Sequence, residues 1–89
     1  MAYTTIAKLY RRASKPTMAI GAASSAITAG RRSGAPQDSL VEPLQLRGQL
    51  LRDAGDVVAA LRDFTDLQEL RPTLDGVAQV VAELEATQP

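Results

Sequence analysis

The sequence contains no histidine and no cysteine, and these absences remove the side chains on which many enzyme and metal sites depend. Histidine is the commonest general base and metal ligand, and without cysteine no disulfide can form. The chain also has no Gly-rich phosphate loop and no lysine after Lys15. We therefore expect that the protein is not an enzyme and has no catalytic residues, no metal site and no cofactor.

Aromatic side chains are scarce as well. The 89 residues include one Phe, two Tyr and no Trp, and the hydrophobic residues are mostly Ala, Leu and Val. A chain of this length rarely gains more than about 3–5 kcal/mol from a single core. The composition therefore predicts a small domain of marginal stability.

Acidic residues are absent from residues 1–37, although this segment has six Lys and Arg. Residues 38–89 reverse the balance with ten acids against four Arg, so the two segments carry +6 and −6. Opposite charge in the two halves of a chain suggests a separate role for each half. The alternative is that the halves neutralise each other in the fold.

Residues 1–16 are predicted to form a basic amphipathic helix, which Pro16 ends because the residue before proline avoids the helical conformation. On a helical wheel, Ile6 and Leu9 fall on the apolar side, and the opposite side carries Lys8, Arg11, Arg12 and Lys15. Such a helix fits an anionic membrane surface, a groove on a partner protein or an import receptor. The simpler alternative is a surface helix packed on the rest of the chain.

Residues 17–30 form the second predicted helix, which is capped by Thr17 and rich in Ala, Ser and Gly. The uncharged run from Pro16 to Gly30 is short and rich in hydroxyl groups, whereas a bilayer span needs about 20 apolar residues. We therefore expect no membrane-spanning helix here. Residues 31–39 are predicted to be a linker.

The first 34 residues also have the composition of a mitochondrial or plastid transit peptide. They are rich in Arg, Ser and Ala, contain no acid and open with an amphipathic helix. No Leu-rich core follows the basic residues, so the segment does not resemble a secretory signal. We expect an intracellular protein that is not secreted, with an organelle as the alternative location.

Residues 40–89 are predicted to form a helical hairpin followed by one more helix, which gives an all-α fold. One face of the first helix carries Leu44, Gly48 and Leu51. Gly55 and Asp56 make the turn, because glycine adopts the left-handed conformation and an Asp side chain can cap the next helix. That second helix ends before Pro72, and its apolar stripe is Val57, Ala60, Leu61, Phe64, Leu67 and Leu70.

Several residues of this hairpin are separated by characteristic intervals, namely Leu44, Gly48, Leu51, Gly55, Ala60, Phe64 and Pro72. Their spacing resembles one tetratricopeptide repeat at about residues 41–74. The resemblance implies that Gly48 and Ala60 face each other where the two helices cross, and that Phe64 fills the gap toward the next helix.

The sequence departs from the family pattern at two positions. Arg47 stands where the family prefers Leu, and Leu67 stands where a small residue is usual. Residues 1–40 show no second copy of the pattern. The last predicted helix, residues 76–86 with Asp75 as its cap, is of the kind that covers the end of a repeat stack.

Repeats bury their apolar faces by stacking, so one repeat and one helix leave apolar surface for a partner. The sequence therefore predicts a non-catalytic protein–protein interaction module, an adaptor or a small accessory subunit. Its partner is another protein chain, in a hetero-complex or a homo-oligomer. The residues expected to bind this partner are Leu44, Leu51, Phe64, Leu67, Val77 and Val81, and those expected to be structural are Gly48, Gly55, Ala60 and Pro72. The alternatives are a membrane-surface protein and an organelle-targeted subunit.

Acidic pairs such as Asp63 and Asp66 are expected on solvated faces, with Asp66 paired to Arg62 one helical turn away. The acidic half would repel a phosphate backbone. Tyr3 and Tyr10 fall on the apolar side of the first helix, where they pack and do not stack on bases. These features disfavour nucleic acid as the partner.

Overall fold

The computed structural model describes residues 3–87, which form five α-helices and one short 3-10 helix. The helices are α1 (Tyr3–Arg12), α2 (Pro16–Arg32), the 3-10 helix (Gln37–Leu40), α3 (Val41–Asp53), α4 (Val57–Leu70) and α5 (Val77–Ala86). Residues 3–87 contain no β-strand, so the all-α prediction is confirmed. The ends of the predicted segments 1–16 and 40–89, at residues 1–2 and 88–89, lie outside the described range.

The helices pack in chain order. α1 and α2 form one hairpin, α3 and α4 form a second with the most extensive contact, and α5 packs on α4. α2 also packs on α3, so the two hairpins lie side by side. The larger core cluster joins α2 to α5 and contains Ile27, Leu40, Leu44, Ala60, Phe64, Leu67, Val77, Val81 and Leu84. The smaller cluster lies between the hairpins and contains Ala7, Ala19, Ala23, Leu46 and Leu50.

The turn of the second hairpin is the one that the sequence predicts. Gly55 has a φ of 87°, and its N–H donates to the carbonyl of Arg52 at 3.0 Å. The N–H of Asp56 donates to the carbonyl of Leu51 at 2.9 Å, which completes a Schellman motif. The Asp56 side chain accepts from the N–H of Ala59 at 3.2 Å. The predicted cap of α4 is confirmed.

The first hairpin closes with the same motif, which is not predicted from the sequence. Ser14 has a φ of 59°, and its N–H donates to the carbonyl of Arg11 at 3.1 Å. The N–H of Lys15 donates to the carbonyl of Tyr10 at 2.9 Å. α1 therefore ends at Arg12, before the predicted boundary, because Ser14 takes the left-handed position that glycine usually occupies.

The cap predicted for α2 is wrong. Pro16 is the first residue of this helix, where its missing N–H costs nothing. Thr17 therefore lies inside the first turn, and the N-cap is Lys15, which makes no side-chain hydrogen bond. The cap predicted for α5 is also wrong. Gly76 is its N-cap in a left-handed conformation with a φ of 81°, and Asp75 precedes it.

The two hairpins can be aligned at an offset of 41 residues. Ser14 then aligns with Gly55 at the turn, and the buried small residues Ala7 and Ala19 align with Gly48 and Ala60. The first hairpin therefore closes with the same backbone turn as the second, with serine in the position of glycine.

The role predicted for Gly48 needs one correction. A Cβ at this position would lie 2.8 Å from Cε2 of Phe64, and all three of its nearest neighbours are atoms of that ring. Gly48 therefore makes room for Phe64 more than for Ala60. Phe64 is buried, in a core cluster that also includes residues of α2 and α5.

We expect Gly48→Leu to destabilise the protein by about 1–3 kcal/mol, because the buried Phe64 ring cannot move aside without disturbing the core. Gly21→Leu is the matched control, since a Cβ at this exposed helical position meets nothing within 4 Å. Thermal unfolding followed by circular dichroism should show a lower melting temperature for the first variant only. Equal effects of the two variants would contradict the close Gly48–Phe64 approach.

We expect Ser14→Gly to stabilise the protein by about 0.5–1 kcal/mol, because the left-handed conformation is unfavourable for a residue with a Cβ. Ser33→Gly is the control, since Ser33 caps α2 with a φ of −83° that any residue adopts. Urea unfolding should show a higher midpoint for Ser14→Gly and no gain for Ser33→Gly. A loss of stability in Ser14→Gly would mean that the first turn is not built as the second.

Candidate functional site

The residues predicted to bind a partner lie inside the protein. Leu44, Phe64, Leu67, Val77 and Val81 are buried in the larger core cluster, and Leu51 is half-buried against it. In this structure these five side chains belong to the core and do not face solvent. The physical reason is that α2 contributes Ile27 and α5 contributes its apolar face to the same cluster, so the chain covers the hairpin by itself.

α1, the predicted docking helix, buries a different face from the one that the helical wheel predicts. α1 directs Ala7 into the core, whereas Ile6 is half-buried and Leu9 is exposed. The four cations Lys8, Arg11, Arg12 and Lys15 are all exposed. Two of them, Lys8 and Arg11, donate hydrogen bonds to side chains of α3.

A groove of about 610 Å³ separates α1 from α3 and is open to solvent. One wall carries the cations Lys8, Arg11 and Arg12, and the opposite wall carries Glu42, Gln45 and Gln49, with Leu46 also in the lining. Two hydrogen bonds cross the groove. Lys8 Nζ donates to Glu42 Oε2 at 2.8 Å, and Arg11 Nη1 donates to Gln49 Oε1 at 3.2 Å.

The two halves of the chain neutralise each other only in part. Lys8 with Glu42, and Arg31 with Asp66 at 3.6 Å, are ion pairs between the basic and acidic halves. Both pairs are exposed, and exposed pairs contribute about 0–1 kcal/mol. Asp66 thus faces Arg31 and not Arg62 as predicted. Three cations against one acid leave the groove with a net positive charge.

The most buried ion pair among residues 3–87 joins Arg47 and Asp63. Nε and Nη2 of Arg47 donate to the two carboxylate oxygens of Asp63 at 2.7 and 2.6 Å. Nη1 donates to Oγ of Ser24 at 3.2 Å. The pair therefore joins α2, α3 and α4 through a single guanidinium.

Asp63 is 2% exposed, so the expectation of a solvated acid is wrong at this position. The hydrogen bonds that Arg47 donates to Asp63 raise the pKa of Arg47 above its ordinary value, and they outweigh the burial that lowers it. The guanidinium therefore stays charged at physiological pH. A sequence signal existed, because Arg47 occupies a position at which the repeat pattern prefers Leu.

We expect Asp63→Leu to cost about 2–3 kcal/mol. This is below the 3–5 kcal/mol typical of a broken buried pair, because the Arg47 side chain is 21% exposed. The double variant Arg47→Leu/Asp63→Leu should recover most of this loss, since no charge is left unpaired. Asp38→Ala, which breaks the exposed pair with Arg71, is the control and should cost no more than about 1 kcal/mol.

Chemical denaturation of these variants measures the coupling directly. A double variant that is less stable than Asp63→Leu would contradict the assignment of the cost to an unpaired Arg47.

Within residues 3–87, no helix is long and apolar enough to cross a membrane. The same part of the chain has no cluster of acidic side chains arranged to hold a metal ion. No protein-family model matches the chain, and no curated protein or solved structure is significantly similar to it.

Proposed function

We propose that the protein is a non-catalytic interaction module whose groove between α1 and α3 holds an acidic segment of a partner protein. The observation that carries the proposal is the composition of the groove. It presents three cationic side chains, two glutamines and a single acid along an open cleft. Cationic groups select carboxylates, and glutamine amides both donate to and accept from a peptide backbone.

The architecture supports this proposal. Two hairpins with the same closing turn lie side by side, and α1 and α3 are the first helix of each. We infer a short helical repeat of the tetratricopeptide type, with α5 as its terminal helix. Stacked helical repeats commonly bind ligands on the extended surface that equivalent helices form.

The contact between Lys8 and Glu42 is compatible with ligand entry. Both side chains are more than half exposed, so the pair is weak and a ligand carboxylate can replace Glu42 at little cost. Arg11 and Arg12 require no new orientation of α1, because they already line the groove. The groove is therefore largely preformed, which reduces the entropy lost on binding.

The burial of residues of the first hairpin favours this role over that of a cleaved transit peptide. Ala7, Ala19 and Ala23 form a core cluster with Leu46 and Leu50, and Ile27 belongs to the larger cluster. Removal of residues 1–34 would expose the apolar side chains of α3 to water. A segment that supplies buried residues to the domain is better explained as part of it.

We expect Glu42→Gln to strengthen binding of an acidic peptide about fivefold. The change removes the only acid of the groove and frees Lys8, and one charge at close range in a water-like medium contributes about 1 kcal/mol. The measurement is fluorescence anisotropy of a labelled peptide rich in Asp and Glu. Glu85→Gln is the matched control, because it makes the same charge change on α5, away from the groove.

Added salt should weaken binding of the native protein, since the interaction is between exposed charges. A basic peptide of the same length should not bind. If Glu42→Gln and Glu85→Gln changed the affinity equally, net charge and not the groove would be responsible, and the proposal would fail.

A further inference from the structure

The two hairpin turns lie at the same end of the molecule. Arg11, Ser14 and Pro16 of the first hairpin line one cavity with Leu50, Asp53 and Ala54 of the second. This cavity of about 380 Å³ bridges the end of α1 and the start of α2 to the end of α3. We call this region the turn end.

Exposed apolar side chains are concentrated at the turn end. Residues 3–87 contain four large hydrophobic side chains that are strongly exposed, and three of them lie within one helical turn of a hairpin turn. Leu9 is 58% exposed, Met18 is 49% exposed and Val58 is 60% exposed. Single exposed apolar residues are ordinary on protein surfaces, but their collection at one end marks an interaction surface.

The charge at the turn end is positive. The cations next to the turns are Arg11, Arg12, Lys15 and Arg52, and the acids are Asp53 and Asp56. Asp56 is engaged as the cap of α4. Lys15 is exposed, and it lies between the exposed residues Leu9 and Met18 in the sequence.

We propose that the turn end docks reversibly on an anionic lipid bilayer. Leu9, Met18 and Val58 enter the boundary between headgroups and acyl chains, while Arg12 and Lys15 contact lipid phosphates. Apolar side chains flanked by cations, with no span of the bilayer, are the composition of interfacial membrane sites. Nucleic acid fits less well, because stacking on bases uses aromatic side chains and the turn end supplies aliphatic ones.

This inference goes beyond the groove, because the surface that it assigns also includes Leu9, Lys15, Met18 and Val58; Arg12 lies at the border of the two surfaces and lines the groove as well. Lys8 and Arg11 face α3, whereas Leu9 is on the exposed side of the helix. A chain docked by its turn end would leave most of the groove free, and it would bring an acidic partner to a membrane surface.

The first experiment is co-sedimentation with two kinds of vesicle, phosphatidylcholine alone and phosphatidylcholine mixed with phosphatidylserine. The full chain should bind only the mixed vesicles. Arg12→Gln/Lys15→Gln should weaken binding about twenty-fold, because each cation near an anionic surface contributes a factor of about five. Arg31→Gln/Arg32→Gln removes the same charge from the opposite end of α2 and should have a much smaller effect.

Insertion is tested separately from charge. Leu9→Ser/Met18→Ser should abolish binding to the mixed vesicles, whereas Tyr3→Ser, at the start of α1, should not. The chain contains no Trp, so a single introduced one is a clean reporter. Fluorescence of Leu9→Trp should shift to shorter wavelength when mixed vesicles are added, and that of Tyr3→Trp should stay unchanged. Circular dichroism of each variant checks that it is folded.

Several results would overturn the proposal. These are no binding of the native chain to mixed vesicles, equal binding to both vesicle types, or equal losses in the two Arg and Lys variants. Binding to duplex DNA that survives Leu9→Ser/Met18→Ser would assign the cations to nucleic acid. A concentration-dependent oligomer that the same variant dissolves, without vesicle binding, would assign the apolar residues to a protein interface.

Discussion

The guanidinium of Arg47 has a fixed place among three helices, and much of the structure is arranged around it. It donates hydrogen bonds to both carboxylate oxygens of Asp63 and to the hydroxyl oxygen of Ser24. A charge removed from water is costly unless it is fully paired, so a shift of α4 along α3, or of α2 along both, would break these bonds. The pair thus favours one register of the hairpins, whose small interior residues would otherwise permit several.

The features that the sequence predicts well are local. Gly55 and Asp56 specify a turn and a cap through their own backbone and side-chain chemistry, and Pro72 cannot continue a helix. The features that it does not predict depend on neighbours distant in the chain. Whether α1 buries Ala7 or Leu9 depends on how it packs on α2 and α3, and the burial of Asp63 depends on Arg47 on another helix. The turn at Ser14 is not predicted because serine, unlike glycine, does not favour the left-handed conformation that it adopts there.

The candidate site shows the same limit. A helical wheel places the cations of α1 on one side, but it does not show that Lys8 and Arg11 form hydrogen bonds with polar side chains of α3. The apolar residues named from the repeat pattern are the ones that the fold buries, because α2 and α5 complete the core. What remains for partners is largely polar and basic on α1. The uneven charge of the chain is thus only partly neutralised inside the molecule, and the excess is displayed along the groove and at the turn end.

α5 determines how long this stack of helices is. Its inner side contributes Val77, Val81 and Leu84 to the core, and its outer side presents Ala78, Gln79, Ala82 and Glu83 to water. A helix with one apolar and one polar side ends an array, because no further hairpin has a hydrophobic face to pack on. Lengthening of the protein by duplication would therefore have to place the new hairpin between Leu70 and Val77, behind this terminal helix. The thirteen-residue helix α3 would then be followed by an equivalent helix, and the proposed binding surface would lengthen while α5 stayed at its end.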